Sequence, residues 1–441
     1  MEDAYIIKGG TPLHGEVKIS GAKNVALKVI ISALLFDNEV LLHNIPRIND
    51  VYELLHLIRS VGGTAEFKKD STVLIDGRSV RTNKVDFLHG SKMRVSFMLF
   101  APLLSKFKEC YVPNPGGCRI GARPIDRIIE GMKAIGIGVD YDSGTGYYHA
   151  VMNRKPSGSY HFSKPSHTGT ELLILIALLG RDAITLENTA LEPEIDELIR
   201  FLNGSGAAIK REGTKITIAP IQTLHQNEPF TIIPDRNEAV TYATLALATK
   251  GDIVVDGIQK QLIQTFIQCV QKAGGVFQEL KNNKLRFYYS GELVCHDIET
   301  KPHPGFMTDW QPNWAVLMTQ AKGESIIHER VFENRFSYVE ELRKLGAEID
   351  FVKTPVENPM EYFFFNFDPS KKYNQAIRIK GPQKLHGGVL NIADLRAGAT
   401  LVIAAFSAEG ESVINGASIL ERGYEDFVKK TRALGGEIKK M

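Results

Sequence analysis

Two kinds of hydrophobic segment alternate along the chain, and each kind predicts a helix. The first kind is amphipathic and ends at a glycine before a short β-like stretch, as in LLHLIRSVGGTAEF and FIQCVQKAGGVFQE. The second kind is apolar on nearly all sides, which is typical of a helix inside a fold rather than on its surface. We predict these buried helices at Val25–Leu35, Met93–Leu104, Glu171–Leu179, Ala239–Thr249, Trp314–Thr319 and Ala397–Ala408.

The amphipathic segment occurs six times, so the chain contains an internal repeat. The glycines that end the segment are Gly62, Gly136, Gly206, Gly274, Gly346 and Gly435. They lie about 70 residues apart, except for a last interval of about 90 that contains extra sequence at 352–380. Glycine at this place is expected, because the residue after a helix often takes the left-handed conformation. Each unit is predicted to run strand, buried helix, strand, amphipathic helix, strand, which gives an α/β fold with helices inside and sheets outside.

Composition narrows the class of protein. The chain has 441 residues, with 53 Lys and Arg against 51 Asp and Glu, and so lacks the basic excess of a nucleic-acid binder. The length favours two domains. The longest apolar stretches, such as 172–179, are too short to cross a membrane, and no secretory leader is recognisable. The four cysteines have no metal-binding spacing, which favours reduced thiols and a cytoplasmic protein.

One loop carries unusual chemistry. The segment from Asn114 to Asp126 contains three glycines and two prolines, which predicts a surface loop rather than a helix or strand. Within it, Cys118 is flanked by Arg119 and Arg123, and these cations favour the thiolate, so the thiol is expected to be reactive or to donate a proton. The sequence has no phosphate-binding loop, no dinucleotide fingerprint and no HExxH motif. We therefore predict neither a cofactor nor a metal.

Charged residues also stand where each buried helix is predicted to begin. In the first unit these are Lys23 and Asn24, at a helix N-terminus that favours anions, although a solvated surface lysine would look the same. The corresponding segments elsewhere are Lys92-Met-Arg94, Lys164 to Thr168, Asp235-Arg236, Thr308-Asp309 and Asp394-Leu-Arg396. Repetition of this placement favours one shared cleft, where the basic groups would bind a polyanionic substrate. Asp309, a carboxylate among cations, is a candidate general base.

The motifs SGAKN, PGGCxIGARPxD, HPGFxTD, VFENRF, ADLRA and ERGYE occur in this order. Together they closely resemble the UDP-N-acetylglucosamine 1-carboxyvinyltransferase family, over residues 7–438. The cysteine loop separates that family from the shikimate-phosphate enolpyruvyl transferases. The resemblance implies a two-lobed inside-out α/β barrel with three repeat units per lobe. Lobe I would contain 1–22 and 233–441, lobe II would contain 23–232, and the active site would lie in the cleft between them.

The resemblance also implies a reaction. The enolpyruvyl group of phosphoenolpyruvate would pass to the 3-hydroxyl of UDP-N-acetylglucosamine by addition and elimination, with release of phosphate, as the first committed step of peptidoglycan precursor synthesis. Carried over by motif, the catalytic residues are Cys118, Asp309, Lys23 and Arg396. The residues that would bind phosphoenolpyruvate are Lys23, Asn24, Arg94, Arg123, Arg396 and Arg422. Those for the UDP-sugar are Asn24, Arg94, Arg123, Pro124, Ile125, Asp126, Arg127, Lys164, Ser166, Thr168, Asp309, Val331 and Phe332. Cys118 would also be the site of alkylation by fosfomycin.

The chain departs from the family pattern at several positions. Met307 replaces a proline, Asn313 a glutamine and Val240 a glycine, while His167 and Thr168 replace a valine and a glycine of the uridine pocket. These changes leave two alternatives open. The chain could act on another UDP-sugar, or it could bind a UDP-sugar without catalysis, although the intact Cys118 and Asp309 argue against the second.

Overall fold

Each of the six repeat glycines ends a helix with a positive φ in the computed structural model, which describes residues 3–117 and 125–441. The φ angles lie between 81° and 103°, in the region that glycine adopts without steric cost. The amphipathic helices that they follow are Asn49–Ser60, Asp126–Ala134, Pro193–Asn203, Gln264–Lys272, Val339–Lys344 and Phe427–Ala433. The predicted repeat is therefore confirmed.

The apolar helices are also present, but most begin earlier than the hydrophobic pattern predicts. They are Lys23–Ser32, Phe100–Phe107, His167–Ala177, Arg236–Ala248, Gln311–Thr319 and Leu395–Ser407. The second predicted segment of this kind, 93–104, is the exception, because there the chain forms a 3-10 helix, Arg94–Leu99, followed by the α-helix Phe100–Phe107. Lys23, Arg236 and Arg396 lie in the first turns of these helices, whereas Asp235 and Asp394 are N-cap residues, whose carboxylates accept from free backbone N–H groups.

The described strands form six sheets, one for each repeat. Three sheets are formed by strands from the N-terminal segment and the second half of the chain. The strand order of the first is Val389–Asn391, Glu411–Asn415, Ala4–Lys8, Glu437–Lys440, and that of the second is Val276–Leu280, Lys284–Tyr288, Asp252–Asp256, His14–Lys18. The third has the order Ile298–Glu299, Gly323–His328, Ala376–Gly381, Ile349–Phe351. The others are Phe230–Thr231, Val40–His43, Val73–Asp76, Thr64–Phe67; Ile209–Glu212, Lys215–Ile218, Ile184–Glu187, Ser159–His161; and Glu109–Pro113, Tyr147–Val151, Gly138–Asp142. Each four-stranded sheet has one parallel pair at an edge, and its other pairs are antiparallel.

The described residues divide into two compact units. The first unit contains 3–20 and Pro234–Met441, and the second contains 21–117 and 125–233. Each unit holds three of the sheets, and its apolar helices are buried within it. The α/β architecture with internal helices is thus as predicted, whereas the lobe boundaries and the cleft remain expectations from the resemblance.

The true insertion is shorter than the predicted segment 352–380, because the last residues of that segment form a strand of the repeat itself. Ala376–Gly381 is an inner strand of its sheet and pairs with both Gly323–His328 and Ile349–Phe351. The rest includes the short helix Pro359–Tyr362 and an aromatic cluster in which Phe363 and Phe365 are buried. The remaining short helices are Ala33–Leu35, Phe87–Lys92, Lys260–Ile263 and Ala417–Leu420.

Asn313 joins the three buried helices of the first unit. Its amide nitrogen donates to the Thr241 hydroxyl at 3.2 Å, and its amide oxygen accepts from the Thr400 hydroxyl at 2.7 Å. Each of these residues lies on a different helix, and the Asn313 side chain is buried. A buried amide that satisfies partners on two neighbouring helices fixes their relative position.

Replacement of Asn313 by alanine is expected to lower the free energy of unfolding by about 2 kcal/mol, because it removes two buried hydrogen bonds and leaves their partners less well satisfied. Urea unfolding followed by circular dichroism measures this change. The matched control is Gln268→Ala, on the solvent-exposed face of Gln264–Lys272, where a change below about 0.5 kcal/mol is expected. Equal stability of the two variants would contradict the role of Asn313 in joining the three helices.

Candidate active site

Asp309 lies just before the helix Gln311–Thr319 and contacts two buried arginines. Its Oδ1 accepts a hydrogen bond of 2.7 Å from Nη2 of Arg335, and its Oδ2 lies 3.5 Å from Nε of Arg396. Both guanidinium groups are almost inaccessible, whereas about a quarter of the Asp309 side chain is exposed. The first unit thus holds one carboxylate with defined orientation and partial access, as a general base requires.

Arg335 connects Asp309 to a second buried carboxylate, Glu329. Its Nη1 donates to the Thr308 hydroxyl at 2.7 Å, and that hydroxyl donates to Oε2 of Glu329 at 2.8 Å. Burial works against the charge of Arg335, but Asp309 and the neighbouring acids outweigh it and raise the pKa of the guanidinium. Burial also raises the pKa of Glu329, although Arg335 opposes this effect. Arg335 is therefore the fixed positive charge of this network.

The same network positions the loop that contains Val331 and Phe332. The backbone N–H groups of both residues donate to Oε1 of Glu329, at 2.7 and 3.0 Å. The Arg335 guanidinium lies 5.3 Å from the centre of the Phe332 ring. These two predicted UDP-sugar residues are therefore half-buried beside the Asp309 cluster.

Arg396 has a second partner besides Asp309. It lies in the first turn of Leu395–Ser407, and its Nη1 donates to the Tyr424 hydroxyl at 3.2 Å. Burial lowers the pKa of Arg396, but Tyr424 and Asp309 outweigh burial and raise it. Arg422 is half-buried in the turn two residues before Tyr424. The structure therefore brings the Asp309 and Arg396 segments together and places the Arg422 segment beside Tyr424.

The aspartates at the other two helix starts of this unit have a different task. Asp235 accepts hydrogen bonds from the N–H groups of Asn237 and Glu238, and Asp394 accepts from those of Arg396 and Ala397. Both are N-caps, which satisfy backbone donors that a helix leaves unpaired. The guanidinium of Arg236 lies 3.1 Å from the ring of His303. At equivalent positions of the repeat, Asp235 and Asp394 therefore cap helices, whereas Asp309 contacts two arginines.

In the second unit, Lys23 is the first residue of its helix and is paired with Asp50. Its Nζ lies 2.6 Å from Oδ2 of Asp50, and both side chains are nearly buried. Asn24, the next residue, is half-buried. Arg94 begins the 3-10 helix, is half-buried, and has its guanidinium 5.7 Å from the centre of the Phe97 ring. Lys23 is thus held at a helix N-terminus by a carboxylate from the neighbouring helix Asn49–Ser60.

Two further cations of this unit lie near each other at the start of the helix His167–Ala177. Burial lowers the pKa of Lys164, and the neighbouring Arg127 lowers it further. Burial also lowers the pKa of Arg127 itself. Ser166 caps the helix by accepting from the N–H of Gly169, and Thr168 is half-buried in its first turn. Two partly desolvated cations beside exposed N–H groups are well suited to an anion.

The cysteine loop is described only in part. Residues 114–117 have no regular structure, and the helix Asp126–Ala134 begins at Asp126, so the segment predicted to be a loop ends in a helix. Ile125, the residue before that helix, is buried. Cys118, Arg119, Arg123 and Pro124 lie outside the described residues. Their predicted roles stay predictions.

The departures from the family pattern fall into two groups. Val240 and Asn313 are buried among the helices of the first unit. Met307, His167 and Thr168 are half-buried and have partial access to solvent. These three side chains are therefore better placed to contact an acceptor than Val240 and Asn313.

The sequence analysis gave no role to four charged partners that the structure reveals. These are Arg335, Glu329, Asp50 and Glu171. Arg335 stands inside the VFENRF motif, which was a signal for it, and Glu329 lies two residues before that motif, whereas Asp50 and Glu171 pair with lysines on other helices. Among the described residues, no group of three or more His, Cys, Asp and Glu is arranged to hold a metal ion, and no helix is long and apolar enough to cross a membrane.

Comparison with known proteins agrees with this fold. Solved structures that it resembles include the enolpyruvyl transferase NikO from Streptomyces tendae, with a TM-score of 0.85 at 21% identity, covering 99% of this chain and 98% of that one. Another is an EPSP synthase from Acinetobacter baumannii, with a TM-score of 0.72 at 17% identity and coverage of 99% and 100%. Residues 7–431 also match the family model for EPSP synthase (3-phosphoshikimate 1-carboxyvinyltransferase). The fold is that of the enolpyruvyl transferases.

The curated relatives are more specific. The UDP-N-acetylglucosamine 1-carboxyvinyltransferase of Desulforapulum autotrophicum is 36% identical over 441 residues, and that of Thermodesulfovibrio yellowstonii is 37% identical over 442 residues, with complete coverage of both chains in each case. The chain belongs to the UDP-N-acetylglucosamine 1-carboxyvinyltransferase family. The resemblance found in the sequence is thereby confirmed.

Replacement of Arg335 by methionine is expected to lower the free energy of unfolding by about 3 kcal/mol or more, because it leaves Asp309 and Glu329 without their shared cation. Chemical denaturation measures the loss. The control is Arg378→Met, which removes a surface pair with Asp350 at 3.4 Å and should cost about 1 kcal/mol or less. If Arg335→Met were as stable as the control, the charge of Arg335 would not be needed to stabilise Asp309 and Glu329.

Proposed function

We propose that this transferase moves the enolpyruvyl group of phosphoenolpyruvate to the 3-hydroxyl of UDP-N-acetylglucosamine and releases phosphate. The full-length relatives of that name, at about 36% identity, support the substrates. The Asp309 cluster supports the chemistry, since it offers an oriented carboxylate with buried cations on both oxygens. We further propose that the reaction takes place in the cytoplasm and begins peptidoglycan precursor synthesis.

The proposed reaction has two steps, an addition and an elimination. In the addition, the Cys118 thiol gives its proton to the methylene carbon of phosphoenolpyruvate, the sugar oxygen bonds to the central carbon, and Asp309 takes the hydroxyl proton. In the elimination, the Cys118 thiolate takes back a proton from the new methyl group, the double bond forms again, and the carbon–oxygen bond to phosphate breaks, with the proton held by Asp309 passing to the leaving phosphate. Fixed cations stabilise the charge that develops between the steps. Arg396, Arg422 and Lys23 would supply these positive charges.

The UDP-sugar has candidate contacts among the described residues. Arg127 and Lys164 suit a diphosphate, since an anion relieves the cost of holding two partly buried cations near each other. Val331 and Phe332 are fixed by Glu329 in a half-buried loop, which suits the flat face of a nucleoside. Asn24, a half-buried amide, would hold the sugar.

A different UDP-sugar as acceptor is the second candidate. Two observations favour it, because Met307 and His167 both depart from the family pattern and both are half-buried rather than enclosed in the core. Val240 and Asn313 give it no support, since their side chains pack inside the first unit.

Phosphate release from phosphoenolpyruvate, measured with a panel of UDP-sugars and with shikimate 3-phosphate, tests the proposal. We expect release with UDP-N-acetylglucosamine and none with shikimate 3-phosphate. Release with another UDP-sugar alone would favour the second candidate. If no acceptor of the panel supported phosphate release, that result would contradict the proposed function.

A thiol variant tests the role of the loop. Cys118→Ser is expected to reduce kcat by about 10²-fold or more, which is the range for loss of a general acid, and to abolish inactivation by fosfomycin. Cys295→Ser is the control, because Cys295 is a half-buried thiol without any proposed role. Full activity of Cys118→Ser would remove Cys118 from the mechanism.

A further inference from the structure

A cluster of four ionisable residues lies inside the second unit, beneath the start of the helix His167–Ala177. Glu171 is completely buried on that helix, and Lys28 is nearly buried on the helix Lys23–Ser32. The Lys28 ammonium lies 2.9 Å from Oε2 of Glu171 and donates to its Oε1 at 3.2 Å. The imidazole Nε2 of His167 lies 3.3 Å from the same Oε1. Glu171 is thus shared between a lysine and a histidine.

Charge balance favours a protonated His167. The charged groups that act on it from neighbouring segments are Lys28 and Glu192, besides Glu171 on its own helix. Glu192 is also buried, and its Oε2 has no hydrogen-bond partner among the described residues. Two buried carboxylates, Glu171 and Glu192, therefore act on His167 against the single ammonium of Lys28, and an imidazolium balances the second negative charge. Burial lowers the pKa of His167, but Glu171 outweighs burial and raises it.

The position of His167 connects this cluster with the surface. Its Nε2 is buried, whereas 24% of its side chain is exposed. Because Nε2 is buried beside Glu171, Nδ1 is the ring nitrogen left to donate to a ligand. Residues 164–166, which precede the helix, and its first residues, His167 and Thr168, are half-buried, whereas Gly169 to Ala177 are buried. Lys164 and Arg127 bring two more cations to this edge.

We propose that His167 is an anion-binding residue of the UDP-sugar site, kept charged by Glu171, so that binding of the diphosphate depends on pH. The proposal rests on the proposed function, since it takes the UDP-sugar as the anion. The imidazolium adds a charged donor to the contacts that Lys164 and Arg127 can make. Because the pKa is raised, binding is tight below it and weakens as the pH rises through it.

Calorimetric titration of the intact protein with UDP-N-acetylglucosamine, between about pH 5 and 8, tests this inference. The wild-type Kd is expected to rise about tenfold across the range, as for loss of one charged hydrogen bond. His167→Gln is expected to bind weakly at every pH, with the Kd that the wild type has at high pH. His161→Gln is the control, because His161 is an exposed histidine paired with Glu187, and it should keep the wild-type profile. Uridine, which lacks phosphate, should show no pH dependence.

Two further variants distinguish a charged His167 from a merely structural one. Glu171→Gln removes the nearest negative charge and should move the midpoint of the profile to lower pH. Lys28→Met removes a repelling positive charge and should move it to higher pH. The two shifts must have opposite signs, a result that general destabilisation does not produce. If one variant fails to fold, the other still gives a shift of defined sign.

A wild-type profile that is unchanged in His167→Gln would overturn the inference while leaving the transfer reaction intact. Shifts of Glu171→Gln and Lys28→Met in the same direction would overturn it as well. Failure of the wild-type protein to bind UDP-N-acetylglucosamine at any pH would overturn both this inference and the proposed function.

Discussion

The candidate active site of the first unit depends on the contact of Asp309 with Arg335 and Arg396. A carboxylate between two buried guanidinium groups cannot be moved without leaving charge unpaired, and an unpaired buried charge costs several kcal/mol. The loop of Val331 and Phe332 is tied to the same network through Glu329. The orientation of the base and the position of the loop are therefore one electrostatic arrangement.

The second unit follows the same rule with other residues. Lys23 is paired with Asp50, and Glu171 is shared by Lys28 and His167. All these charges lie on, or beside, helices that are otherwise apolar. A fold with its helices inside must provide a partner for every charge that it places there. Lys23 and Lys28 have their partners on other helices, so ligand-binding residues and packing cannot vary independently.

Much of the fold could be predicted from the sequence, because it is encoded locally. The glycines that end the amphipathic helices need a positive φ, and their spacing showed the six repeats. The starts of the buried helices were predicted too late in most units, because residues such as Lys23 and Arg236 break the apolar pattern while still lying in the first turn. The extra segment was predicted too long, because the strand Ala376–Gly381 looks like insertion until its pairing is known.

The candidate site was only partly predictable. Asp309 and Arg396 stood at recurring places in the repeat, and the structure brings them together. Arg335, Glu329 and Glu171 could not be found by spacing, since each acts through a partner on another element. His167 was recognised only as a departure from the family pattern. What a residue pairs with is decided by tertiary packing, and one sequence does not contain that information in its local order.

The kinetics of Asp309→Asn test the central claim most directly. The amide keeps the size of the side chain but cannot take a proton, so kcat for enolpyruvyl transfer should fall by about 10²-fold or more while the KM for phosphoenolpyruvate changes little. Asp350→Asn, a change at an exposed surface pair, should leave both constants unaltered. A kcat of Asp309→Asn close to that of the wild type would contradict the assignment of Asp309 as the base.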